Sequence, residues 1–287
     1  PNPWHGGEDL TFTVSLNEPA GFPGQTVTVT NTNPAVTLPG TVSFATGETT
    51  KTFTIVPSYV TTDTTGDVTS VLDGVTKTST LTVLSHKVAA LDVTPSTVIG
   101  GNSSVGTVTL TSKAAPGGYV VALSSDNPAI TVPAEVTVAE GETTATFPVD
   151  YDVVADDSNG VVTAQLNGSS KTSNVTVKAA NITSLGLSKT STAGGNDVTG
   201  TVTIDGMAPA GGLTVTLSSS NSKVVVPASV TIPEGMTEAT FTATTVSTAV
   251  ATDVTVTASA RGVVLNKGIT ITAPVVVSVV SNPASIT

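Results

Sequence analysis

The chain has 287 residues, no Cys, a net charge of −11 and only 11% charged residues, well under the roughly 25% of an ordinary globular domain. It holds 56 Thr and 46 Val, β-branched residues that suit a pleated sheet, so an all-helical fold is excluded. Absent Cys excludes a disulfide scaffold or a thiolate zinc site, and the acidic balance argues against nucleic acid as a partner, since phosphate would be repelled.

The same pattern recurs every 94 residues without a gap. Phe53, Phe147 and Phe241 keep that step, as do Gly47, Gly141 and Gly235, and Pro39, Pro133 and Pro227. The repeat predicts three modules, 1–85, 86–179 and 180–273, with 274–287 as the first strand of a further or neighbouring module.

In the middle copy, Leu91–Thr94 reads as a strand stopped by Pro95, which cannot donate to a ladder. Gly100-Gly101 turns the chain, Thr107–Thr111 alternates, and Pro116-Gly117-Gly118 turns it again. Strands follow at Tyr119–Ser124, Ile130–Val132, Glu135–Val138 and Thr143–Val149. Gly160–Leu166, a turn at Asn167-Gly168, and Ser170–Lys178 predict a closing hairpin. Seven or eight short strands with a turn every 8–12 residues predict an all-β fold of three immunoglobulin-like sandwiches. The inward set is Val14, Val29 and Phe53 in the first copy, Val108, Leu123 and Phe147 in the second, and Val202, Leu217 and Phe241 in the third.

Val42–Ile55, repeated at Val136–Val149 and Val230–Ala243, resembles the central strand–turn–strand of Calx-beta-type and related bacterial Ig-like repeats. Pro95, Val98, Gly100 and Gly101, followed by Gly106–Leu110 and Ala115–Gly118, resemble tandem Ig-like modules of large surface and secreted proteins. The resemblance implies the architecture and a bacterial extracellular setting. Calx-beta domains carry an acidic calcium-binding stretch after this strand. Only the middle copy has one, at Asp150, Asp152, Asp156 and Asp157, so no metal and no cofactor is expected for the array.

No catalytic constellation is expected. His5 and His86 do not recur, and nothing in the spacing supplies a nucleophile, a base and an orienting acid. Glycosylation candidates are Asn102, Asn167, Asn174 and Asn181, each in an Asn-x-Ser/Thr triplet. Trp4 aligns with Val98 and reads either as a contact with a neighbour or as a cap over its own module. No apolar run is long enough to span a membrane; Pro274–Val280 is far too short.

The register of the ends carries the main functional expectation. Pro1 occupies the column of Pro95 and Pro283, so the first module lacks the equivalent of Leu91–Thr94, while Val275–Asn282 repeats that strand. Val276 and Val279 align with Val88 and Leu91 and are expected to face the core of a module outside these three. The expected function is a structural subunit or segment of an extracellular filament or surface stalk: either this strand leads into the next module of a longer continuous chain, or it completes the first module of another copy in a head-to-tail self-association. Short linkers at Ser85–Ala90 and Ala179–Thr183 favour a semi-rigid rod. The alternatives are an adhesin stalk or binding module for sugar or host protein, and a virion fibre or decoration protein.

Overall fold

The computed structural model describes residues 4–279, and among these every regular element is a β-strand. The cause is local. Alternating Thr and Val put one face of each strand into a core, as in Ser103–Leu110, where Val108 and Leu110 are buried.

The second module shows the complete design. Its opening strand, Val88–Thr94, pairs antiparallel with Ser103–Leu110, which pairs in turn with Thr144–Tyr151 and through it with the two-residue Ile130–Thr131. The facing sheet runs Glu135–Val138, Tyr119–Ser125, Ser158–Leu166, Ser169–Lys178, with Thr97–Ile99 added in parallel at its edge. The closing hairpin turns at Asn167-Gly168, both at positive φ, as a two-residue turn between twisted strands requires. One continuous core, including Val108, Leu123, Phe147 and Val162, lies between the sheets. The third module repeats this plan, with Ile182–Leu187 as its opening strand against Val198–Ile204.

The first module differs. Among the described residues Leu10–Ser15 pairs only with Thr50–Ile55, forming a two-stranded sheet opposite a five-stranded one. Among the described residues no opening strand lies beside Leu10–Ser15. The core divides into two clusters, one around Leu10, Leu81 and Val83, the other around Val27, Val29 and Phe44. Val14 and Phe53, expected in the core, are only half-buried, whereas Val29 is buried as expected. The missing strand is the reason, since Val108 and Val202 are closed over by the opening strands of their own modules. Trp4 pairs with Val83 in a short parallel ladder and packs on the Leu10–Leu81 cluster, so it caps its own module.

A carboxylate grips the chain where each of the first two modules ends. Asp63 accepts from the backbone N–H of Ser85 at 2.9 Å, from the Ser85 hydroxyl at 2.8 Å and from Lys87 Nζ at 2.7 Å. Asp157, one repeat later, accepts from the N–H of Ala179 at 3.0 Å and from Lys178 Nζ at 2.6 Å. The third copy has Ala251 at this position, so the chain leaving the third module has no carboxylate clamp.

Candidate assembly site

Beside the unpaired edge of Leu10–Ser15 lies a groove of about 620 Å³. Its apolar walls are Val14, Leu16, Val27, Leu72 and Val75; Asn17, Glu18, Asp73 and Lys77 stand around them. One repeat on, the residues in the places of Val14, Leu16, Val27 and Leu72 are Val108, Leu110, Val121 and Leu166, all buried. Val88, Leu91 and Val93 of the opening strand are buried in that same core. In the third module Ile182 and Leu185 do this against Val202 and Ile204. The groove occupies the place that an opening strand fills in the other two modules. Val75, in its wall, is 62% exposed.

The mouth of the seat has its own chemistry. In the second module, Thr111 Oγ1 accepts from the N–H of Lys87 at 3.1 Å, and the N–H of Thr111 donates back to the Lys87 carbonyl at 3.0 Å. In the third, Asp205 Oδ1 accepts from the N–H of Asn181 at 2.7 Å, and the Asp205 N–H donates back at 3.1 Å. Asn17 holds this place in the first module and also offers a side-chain oxygen. A second contact does not carry over. Asn167 Nδ2 donates to the His86 carbonyl at 2.8 Å, and Arg261 donates to the Ala180 carbonyl. The equivalent Asp73, also at positive φ, carries a carboxylate that accepts instead.

At the other end, the strand expected at Val275–Asn282 lies partly outside the described residues. Its described part, 275–279, joins no sheet of its own chain. Val276 and Val279 are 84% and 88% exposed, and Val275 and Val277 are also exposed.

The first junction carries a cluster that the sequence reading missed. His86 is fully buried, its ring 5.5 Å from His5, 5.7 Å from Tyr59 and 5.0 Å from Tyr119. Its Nδ1 lies 3.2 Å from the Tyr119 hydroxyl. Burial pushes the imidazole below its ordinary range, and His5 adds to this, while the Lys113 backbone and Glu8 pull the other way. Burial also pushes the Tyr119 phenol up. The equivalent places at the second junction are Ile99, Val153, Ala180 and Leu213, all aliphatic. The cluster does not recur, so the repeat gives no signal for it.

Glu8 bridges the same junction. Its Oε1 is 2.5 Å from the Ser112 hydroxyl and 3.7 Å from His5 Nδ1. A hydrolytic triad places the imidazole between hydroxyl and carboxylate. Here the carboxylate accepts from the hydroxyl directly, and the contact ties two modules together.

Among the described residues no three His, Cys, Asp or Glu gather to hold a metal ion. Asp157 of the acidic stretch is taken by Lys178, which holds its carboxyl below the usual range. Of the glycosylation candidates, Asn102 and Asn174 are exposed. The amide of Asn102 donates to Ile99 O at 2.9 Å, and those of Asn167 and Asn181 are engaged at the module mouths.

No family model matches the chain, and no curated protein sequence does. Solved structures similar to it include invasin, a bacterial integrin-binding protein, at 18% identity over 92% of this chain and 60% of that one, with a TM-score of 0.34. An I-band fragment of titin is similar at 13% identity over 95% of both chains, with a TM-score of 0.31. Domains 4 and 5 of the S-layer protein SbsC are similar at 20% identity over 66% of this chain and 98% of that one, with a TM-score of 0.29. The chain spans 60% of the invasin structure's length.

Proposed function

We propose that the protein is a structural segment of an extracellular filament or surface stalk, built of tandem Ig-like modules that associate head to tail through the C-terminal strand. The observation that carries this reading is the pairing of an unfilled strand seat in the first module with an unpaired valine-rich segment after the third. The linker clamp at Asp63 supports it, since it ties the first module to Lys87 of the second. Such a contact is heterologous and does not close, so it propagates. Burying two valine side chains contributes about 3–6 kcal/mol, at roughly 1.5–3 each. Each ladder hydrogen bond adds about 0.5–1.5 kcal/mol.

Electron microscopy of the concentrated protein and of native material tests the reading. Filaments with an axial repeat of three modules, dissolving under denaturation to 28.4 kDa chains, are the expected result. Single particles at every concentration, with no filament in native material, contradict it.

A further inference from the structure

We propose that the groove between Leu10–Ser15 and the closing hairpin of the first module is an acceptor for residues 275–279 of a second copy, bound antiparallel in one register. The inference rests on the head-to-tail reading above and adds its site, direction and residue pairing.

The register is fixed by the two filled seats. In the second module Leu91 lies opposite Val108, Ala90 opposite Thr109 and Val88 opposite Leu110, with residue 89 bulged out. In the third, Leu185 lies opposite Val202, Ser184 opposite Thr203 and Ile182 opposite Ile204, with the same irregularity. Two independent copies thus share one ladder, bulge included. Transferred by the repeat, that ladder sets Val279 opposite Val14, Ser278 opposite Ser15 and Val276 opposite Leu16, with Val277 bulged.

The side chains fit this register. Val276 and Val279 enter where Val88 and Leu91 enter, over Val14, Leu16 and Leu72. Ser278 stands on the outer face, as Ala90 and Ser184 do. A shift by one residue can exchange Val276 and Val279 for other valines of the same tail, so the ladder shared by the two filled seats is what fixes the register. At the mouth, Asn17 stands where Thr111 and Asp205 each accept a strand N–H, and it receives that of Val275. Asp73 is the one mismatch, because a carboxylate cannot donate to the carbonyl of residue 274 as Asn167 and Arg261 do to theirs. The acceptor therefore holds its strand less firmly than the two internal seats. That suits a junction made between chains after each has folded.

Why a second copy and not the chain's own tail follows from order. The groove belongs to the first module and the tail leaves the third, and no described contact brings the tail back. The free tail is also unclamped, with Ala251 where Asp63 and Asp157 hold the two internal linkers.

The natural absence of Cys makes a clean test. The full-length double variant S15C/S278C, oxidised at filament-forming concentration, is expected to give a ladder of disulfide-linked multimers on a non-reducing gel. Mixing the two single variants should stop at covalent dimers. The register control S15C/V279C places one thiol on the inward side of the strand and should lose the ladder. Asp73→Asn should strengthen assembly, lowering the concentration at which multimers appear. A filament visible by microscopy with no S15C/S278C ladder overturns this site and leaves the head-to-tail reading standing. An intramolecular disulfide, equal ladders from both double variants, or protection of the groove by a segment preceding residue 4 also overturns it. Neither filament nor ladder overturns both.

Discussion

The ring of Phe53 stacks on Phe12 at 5.3 Å and 13°, whereas its counterparts Phe147 and Phe241 lie against glycines. Gly106 and Gly200 occupy the place of Phe12, and a Cβ at Gly106 would stand 2.2 Å from Phe147 Cζ. The complete modules fold their phenylalanine over the second strand and close the core above it. In the first module that space carries a second ring, and both rings are half-buried.

The glycine is therefore a packing requirement. Gly106→Ala should destabilise the second module by about 1–3 kcal/mol through overpacking. Phe147→Ala should cost roughly 3–5 kcal/mol, and Phe53→Ala distinctly less, because its ring is only half removed from water. Chemical denaturation of the three variants checks the order. Equal losses at Phe53 and Phe147 would mean that the first core is already closed.

The first junction should weaken in mild acid. Folded His86 has its affinity for a proton lowered by burial and by His5, so it stays neutral where the unfolded chain takes up a proton. Stability is thus full above the ordinary histidine range near pH 6.5 and falls as pH drops through it. The groups facing His86 are His5, Tyr59, Tyr119 and Glu8. The second junction, built of Ile99, Val153, Ala180 and Leu213, is an internal control. Hydrogen exchange at pH 7.5 and 5 should show loss of protection around His86 and none around Ala180. His86→Ala should abolish the pH dependence.

A second acid transition belongs to the linker clamp. The Lys87 ammonium and the Ser85 donors hold the Asp63 carboxyl down at about 2, from an ordinary value of 3.8. A lowered carboxyl contributes stability above its unfolded value, and that contribution fades as pH falls from about 4 towards 2. Asp63→Asn should remove this step while keeping the module fold. Junction mobility by fluorescence anisotropy, measured against pH, reads it directly.

Metal removal should leave the array unchanged. Of the acids Asp150, Asp152, Asp156 and Asp157 only the last recurs, as Asp63, and Asp157 is spent on Lys178 and the Ala179 N–H. Thermal unfolding with and without EDTA should coincide. A shift of many degrees would promote these four to calcium ligands.

Much of this fold is legible in the sequence because its punctuation is local. Asn167-Gly168 announces the closing hairpin, and Glu135–Val138 ends where its Val and Thr alternation ends. The short parallel strand Thr97–Ile99 is not legible, since three residues show no period and its partner lies some 80 residues away. The half-burial of Val14 and Phe53 escapes a pattern-based reading, because the pattern says which way a side chain faces and not whether a neighbouring strand covers it. The His86 cluster is invisible for a related reason: its residues come from both sides of a junction and occur once. The strand seat is legible only through the repeat, which lines up Val276 and Val279 with Val88 and Leu91.

Sedimentation of the full chain against concentration, beside the variant Val276→Glu, tests the central claim most directly. The variant places a charge where a buried valine belongs and touches none of the three modules' own cores. The native chain should grow from 28.4 kDa into an open series of multimers as concentration rises, while Val276→Glu stays at 28.4 kDa with unchanged melting. Identical sedimentation of the two proteins would contradict the account.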